Sequence, residues 1–128
     1  MKYLLDTHLL LWTAEGSRRL PARARSILLD PDNELIFSAA SIWETAIKNA
    51  KDLPGFDVEP DLLRSSLLAN LFTELPISGR HASTVASLPA IHQDPFDRIL
   101  VAQALVEGFT LLTADATIAR YPGPIRKV

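Results

Sequence analysis

The chain has no cysteine among its 128 residues. That excludes disulfide cross-links and thiolate metal sites, and it fits a reducing compartment. No apolar run approaches the length of a membrane span. No signal peptide is legible: Met1-Lys2 leads straight into "YLLDTH", where Asp6 breaks the apolar run. Internal repeats and low-complexity tracts are also missing. Neither sign of charge dominates, since the formal net charge is −2. This argues against a strongly basic nucleic-acid module, though not against a local basic patch. The three histidines, His8, His81 and His92, do not fall at zinc-site spacing. What remains is an ordinary globular composition, 48% apolar and 22% charged. One domain over residues 1–128 is expected, long enough to bury a core without staples.

Short apolar strands alternate with helices along this chain. "KYLLD" (2–6), "NELIFS" (33–38), "FTELPI" (72–77) and "FTLLT" (109–113) read as buried strands, and "PIRKV" (124–128) as a last edge strand. Helices are expected over 8–16, 21–30, 39–50, 61–71, 79–88 and 115–121, with "KDLPGFDVEP" as the best loop. In "AASIWETAIKNA" the residues Ala39, Ile42, Trp43, Ala46, Ile47 and Ala50 form one helical stripe. The stretch "HQDPFDRILVAQAL" opens another helix, with Asp94 as N-cap, Pro95 first in the helix and Asp97 as the third-position acid. The alternation predicts an α/β fold, a three-layer α/β/α sandwich around a mostly parallel sheet. Ligands of such sheets collect at the carboxyl ends of the strands.

That rule draws attention to the acids. Asp6 ends the first strand and Asp115 follows the "LLT" strand by two residues. Glu44 lies on the helix after the second strand, and Asp97 in the first turn of the helix before "FTLLT". Singly, each reads as a helix cap or an ordinary surface acid. Asp97 shares a face with Val101, Ala104 and Leu105, however, and a carboxylate on a buried stripe needs a partner. Four converging carboxylates would repel unless a cation joined them. Oxygen-only ligands favour Mg²⁺ or Mn²⁺ over Zn²⁺, and such a cluster suits metal-assisted phosphodiester hydrolysis.

"LLDTH", "SAASIWETAIK", "HQDPFDRILVAQA" and "LLTAD", in this order and spacing, resemble the PIN domain, and most of all the VapC-like toxins of type II toxin–antitoxin pairs. The resemblance covers essentially the whole chain. It implies a compact PIN-like α/β/α sandwich and a metal-dependent endoribonuclease, hydrolysing RNA through a metal-activated water held by an acidic quartet. Carried over by motif, the quartet is Asp6, Glu44, Asp97 and Asp115. Asp94 belongs to the "DPFD" variant and is a helper, while Thr7 and Thr113 flank the quartet. The resemblance further implies a cytoplasmic protein, an RNA substrate, a cognate antitoxin, and homodimers within a larger toxin–antitoxin assembly.

Lys48 follows Glu44 by one turn; an i,i+4 pair and a substrate contact at the site mouth are both open. Arg98 is similarly placed beside Asp97. Arg18 and Arg19 begin the densest basic stretch, either a solvated face or a guide for phosphates. The surplus of apolar residues in "LLLW" (9–12) is expected to mark a protein interface. Two rivals stand beside the nuclease. A phosphoaspartyl phosphotransferase would use Asp6 as nucleophile, but "DTH" lacks the second acid of haloacid-dehalogenase-like phosphatases. A non-catalytic binding module would use the acids only as caps.

Overall fold

The computed structural model describes residues 1–128. Its frame is a five-stranded sheet of β1 (Lys2–Leu5), β2 (Glu34–Ser38), β3 (Thr73–Leu75), β4 (Thr110–Thr113) and β5 (Ile125–Lys127). The strand order is β3-β2-β1-β4-β5, and every neighbouring pair is parallel. Six α-helices complete it: α1 (Thr7–Glu15), α2 (Ala22–Leu29), α3 (Ala39–Ala50), α4 (Pro60–Ala69), α5 (Gly79–Thr84) and α6 (Pro95–Glu107).

The strands are apolar without alternation because both faces of the sheet are covered. Tyr3 and Leu5 enter one core with Phe37, Leu112 and residues of α1, α2 and α4. Leu4 enters the other with Ile36, Leu111 and the inner face of α6. The layers are therefore α/β/α. Leu4 and Leu111 are fully buried, and truncating either to alanine would cost about 2–5 kcal/mol. The starts of α3 and α6 are capped, α6 by the expected Asp94. Ser38 accepts from the Ala40 N–H, Asp94 accepts from the Phe96 N–H, and Pro95 starts α6. Gly108 ends α6 at φ 73°, a left-handed position that suits glycine.

Three details depart from the sequence reading. The "LLLW" surplus marks no interface, for Leu9, Leu10 and Leu11 are all buried in the chain's own core. Phe56 and the α4 residues Leu63 and Leu67 join that core from beyond the sheet. In α3 the buried residues are Ala40, Ser41, Glu44 and Thr45. The apolar stripe is only half-buried: Ile42 packs on the core, while Trp43 is 58% exposed. Finally, residues 115–121 hold only a 3₁₀ turn, Ile118–Arg120, because Asp115 binds the Thr117 and Ile118 N–H groups in a local turn of its own.

The strand order sets the site. β1 sits beside both β2 and β4, and the chain leaves these strands toward opposite edges of the sheet. The crevice beyond the carboxyl ends of β1 and β4 is thus the topological switch point.

Candidate metal centre

Asp6 follows β1 directly. Its N–H donates to the Leu112 carbonyl at 3.0 Å, continuing the ladder one residue past the strand. The side chain is 3% exposed. Its Oδ1 accepts from the Leu9 N–H at 2.9 Å and so caps α1, and its Oδ2 accepts from the Thr113 hydroxyl at 2.6 Å. Burial pushes the Asp6 carboxyl above its ordinary value, against the lowering effect of those two bonds. The Thr113 oxygen also accepts from the Asp115 N–H at 2.9 Å. One threonine therefore ties the ends of β1 and β4 together and fixes where Asp115 emerges.

Glu44 arrives from α3. It is 2% exposed, and Oε2 takes an ion pair from Lys48 Nζ at 2.7 Å. Oε1 is buried with no hydrogen-bond partner. A buried carboxylate oxygen without a donor is costly. Lys48 is the one cation paired with this group; its Nζ also lies 3.9 Å from Asp94 Oδ2 and 5.0 Å from the Phe56 ring centroid. Burial disfavours the Lys48 charge, yet the bond to Glu44 and the charges of Glu44, Asp94 and Asp97 outweigh this and raise its pKa.

Asp97 does not close a capping box. The Asp94 N–H donates instead to His92 Nδ1 at 3.3 Å, which leaves Asp97 Oδ2 facing His92 Nε2 at 3.1 Å. Burial, then the charges of Asp94, Glu44, Asp6 and Asp115, push the Asp97 carboxyl up to about 8. One ligand atom each from His92, Asp97 and Asp115 lies within 4.8 Å of the others.

Of the residues singled out from the sequence, Asp6, Glu44, Asp94, Asp97, Asp115, Lys48 and Thr113 come together here. Thr7 turns away and donates to Ser41 Oγ at 2.9 Å, pinning α1 to α3. Arg98 does not face the cluster as a free cation. Its guanidinium donates to the carbonyls of Val85, Pro89 and His92 and to the Tyr121 hydroxyl. These bonds hold the loop before α6, so the substrate contact considered for Arg98 is replaced by a structural role. Arg18 and Arg19 are exposed on the turn after α1, and Arg19 lines a groove with His8 and Trp12 rather than the acidic crevice. Ser41 was not singled out as a site residue, and His92 was legible only as a neighbour of motif acids, open to either a supporting or an ordinary structural role. A lone histidine or serine carries no periodic signal; the hint for His92 was its place beside the acids of "HQDPFD".

Carboxylate oxygens are the donors a hard divalent cation prefers, and the His92 imidazole stands beside them. A cation here would relieve both the orphaned Glu44 oxygen and the crowding that raises Asp97. The residues present therefore fit Mg²⁺ or Mn²⁺.

The chain matches the PIN domain family over residues 3–124 and belongs to it. It is 30% identical to Ribonuclease VapC22 of Mycobacterium tuberculosis across 95% of each chain. Among solved structures it is similar to VapBC2 from Rickettsia felis bound to a promoter DNA fragment, with a TM-score of 0.72 and 16% identity over 100% of this chain and 99% of that one. It is also similar to FitAcB from Neisseria gonorrhoeae, with a TM-score of 0.63 and 20% identity over 96% and 95% of the two chains. At those identities the likeness is one of fold. No helix is long and apolar enough to cross a membrane.

Proposed function

We propose that this protein is a divalent-metal-dependent endoribonuclease and the toxin of a type II toxin–antitoxin pair. One observation carries the reading. Asp6, Glu44, Asp97 and Asp115 meet at the switch point of the sheet, and the buried Glu44 Oε1 is left without a partner. Capping alone does not explain this: Asp97 caps nothing, and Glu44 is buried in mid-helix. The likeness to a named ribonuclease over 95% of the chain supports the same reading.

Asp6, Glu44, Asp97 and Asp115 would hold Mg²⁺ or Mn²⁺. Bound there, a divalent ion supplies an activated water and neutralises charge on the phosphate. The remaining residues position these groups. Thr113 holds Asp6 and the Asp115 backbone, Asp94 fixes the first turn of α6, and His92 orients Asp97. Lys48 balances Glu44 and stands next to the acids, where it can meet a phosphate oxygen. One hydrogen bond to each Asp6 oxygen fixes the carboxylate and leaves a lone pair on each for a cation. The apolar groove of Trp43, Ile77, Val85, Phe96 and Ile99 is where we place self-association. The solved relatives include toxin–antitoxin complexes, and an antitoxin covering the acidic crevice would inhibit the enzyme. A cytoplasmic location belongs to the same proposal.

The test is cleavage of a structured-RNA pool with Mg²⁺, Mn²⁺ or EDTA, beside Asp97→Asn. Cleavage that requires metal and vanishes in the variant is expected. Equal cleavage by both proteins, or cleavage in EDTA, would overturn the assignment.

A further inference from the structure

A second feature begins two residues from Asp6. A groove of about 470 Å³ runs along the outer side of α1, lined by His8, Trp12, Glu15, Arg19, Gly55 and Asp57. At 1.5 Å rise per residue, Trp12 stands about 9 Å along the helix from Asp6. The His8 ring links the groove to the acidic crevice. It lies 5.9 Å from the Trp12 centroid and 5.6 Å from the Phe56 centroid, and Lys48 sits over the other ring of that pair, Phe56, at 5.0 Å. Packed rings, tilted or edge-on to one another and with Phe56 itself buried, thus join the acids to Trp12. One side of Trp12 packs on the core, and the ring is only partly buried. That is the arrangement of a stacking platform, a ring held rigid from behind.

The lining is polar, unlike the apolar grooves that seat protein helices. Glu15 and Asp57 would repel a phosphate but accept hydrogen bonds from the N–H and amino groups of a base edge. Arg19 is exposed, and it supplies the cation for the backbone. Stacking, edge acceptors and one cation together match an unpaired nucleotide. A base inside a duplex has no free face to offer Trp12.

We infer that the His8–Trp12–Arg19 groove is a subsite for an unpaired nucleotide flanking the scissile phosphate, with its base stacked on Trp12 and its phosphate met by Arg19. The inference rests on the nuclease reading for its register along the strand. Binding can be separated from cleavage by working in EDTA. The probe is a single-stranded heptaribonucleotide, compared with the same strand in a duplex. The readout is Trp12 fluorescence in a Trp43→Phe background, which leaves one reporter. Quenching by the single strand and not by the duplex is expected. Trp12→Leu, which keeps the apolar packing, should lower affinity about tenfold by fluorescence anisotropy of a labelled strand, and Trp12→Phe should restore most of it. Arg19→Ala should reduce the salt slope of binding by about one ion. In Mn²⁺ the Trp12→Leu enzyme should show raised KM with kcat little changed.

Unaltered affinity and KM in Trp12→Leu, beside intact metal-dependent cleavage, would overturn the subsite and spare the nuclease. An occupant of another class, such as a protein segment, would give that result. Trp12-dependent binding without any cleavage would support the subsite and sink the nuclease reading.

Discussion

The two ends of α6 carry two polar clusters of opposite design. At its start Asp97 faces Asp6, Glu44, Asp94 and Asp115, five acids with Lys48 as counter-charge. At its end Glu107 faces the buried His81. There His81 Nε2 lies 2.9 Å from Glu107 Oε2, and Nδ1 accepts from the Ser78 N–H at 3.0 Å. Ser78 returns a bond to the His81 N–H, which closes a capping box at the start of α5. Gln103 donates to the Pro76 carbonyl beside them. The second cluster matches donors to acceptors and an acid to an imidazole, and its one orphan is a neutral amide oxygen of Gln103. The first gathers like charges, and its orphan belongs to a carboxylate. A cluster that serves stability satisfies itself; one that serves a ligand is left incomplete without it.

The sharpest way to break that contrast is Asp97→Asn. Cleavage of RNA should fall about 100- to 1,000-fold, the scale for losing one electrostatic group in a reaction centre. Metal-free protein should nevertheless melt no lower, and calorimetry should show a rise, because asparagine is neutral in both states and the cost of protonating a buried carboxyl on folding is gone. Loss of stability together with activity would mean that Asp97 is an ordinary structural acid.

Next in size is the pH response of the metal-free chain. Asp97 stands near 8 against an ordinary 3.8. Between about pH 4 and 8 the unfolded chain has lost this proton while the folded chain retains it. Stability must then fall as pH rises through that window, by at most about 1.4 kcal/mol per unit and a few kcal/mol in total. It is fully regained below pH 4. Mn²⁺ binds the ionised form and should flatten the slope above pH 6, raising Tm most where the metal-free protein is weakest. Urea titrations at several pH values, with EDTA and with Mn²⁺, measure this directly. A flat metal-free profile would contradict a carboxyl raised by burial and by the neighbouring acids.

The other cluster should answer in reverse. His81→Ala removes the partner of the Ser78 N–H and opens a small cavity, so it should cost about 2 kcal/mol in chemical denaturation. Glu107 lies ten residues from Asp97, about 15 Å along α6. The kcat of cleavage should therefore stay at the parent value below the melting range. A large fall in kcat would show that the two ends of α6 are coupled.

How much of this was legible beforehand follows from what each feature depends on. The strands were readable because a doubly covered parallel sheet writes itself as unbroken apolar runs. Caps such as Ser38 and Asp94 obey local chemistry, so they were readable too. α3 was misread for a physical reason. Its buried face holds Ser41, Glu44 and Thr45 beside Ala40, so the hydrophobic period is offset from the face that is buried. The offset is itself a mark of a site. Arg98 was unreadable because its partners are loop carbonyls, which every sequence has. His92 was half-readable, from its place beside the acids, but which acid it meets depends on a contact across the α6 turn.

His92 gives the smallest and most discriminating prediction. Its Nδ1 accepts the Asp94 N–H, which places the proton on Nε2 and aims it at Asp97 Oδ2. The loop that presents it is anchored by Tyr121, whose hydroxyl accepts from the His92 N–H at 2.8 Å, and by Arg98. His92 thus acts through Asp97, as outer partners orient metal ligands elsewhere. His92→Ala should weaken Mn²⁺ affinity about tenfold in calorimetric titration and leave the fold intact, since the ring is part-exposed. His92→Gln keeps a donor at similar reach and should recover most of that affinity. If glutamine rescues nothing and alanine alters the spectrum of bound Co²⁺, the imidazole nitrogen is itself a ligand. The centre would then be a mixed nitrogen–oxygen site rather than an all-carboxylate one. If neither variant shifts metal affinity, the contact with Asp97 is incidental, and the orientation of that carboxylate must come from α6 alone.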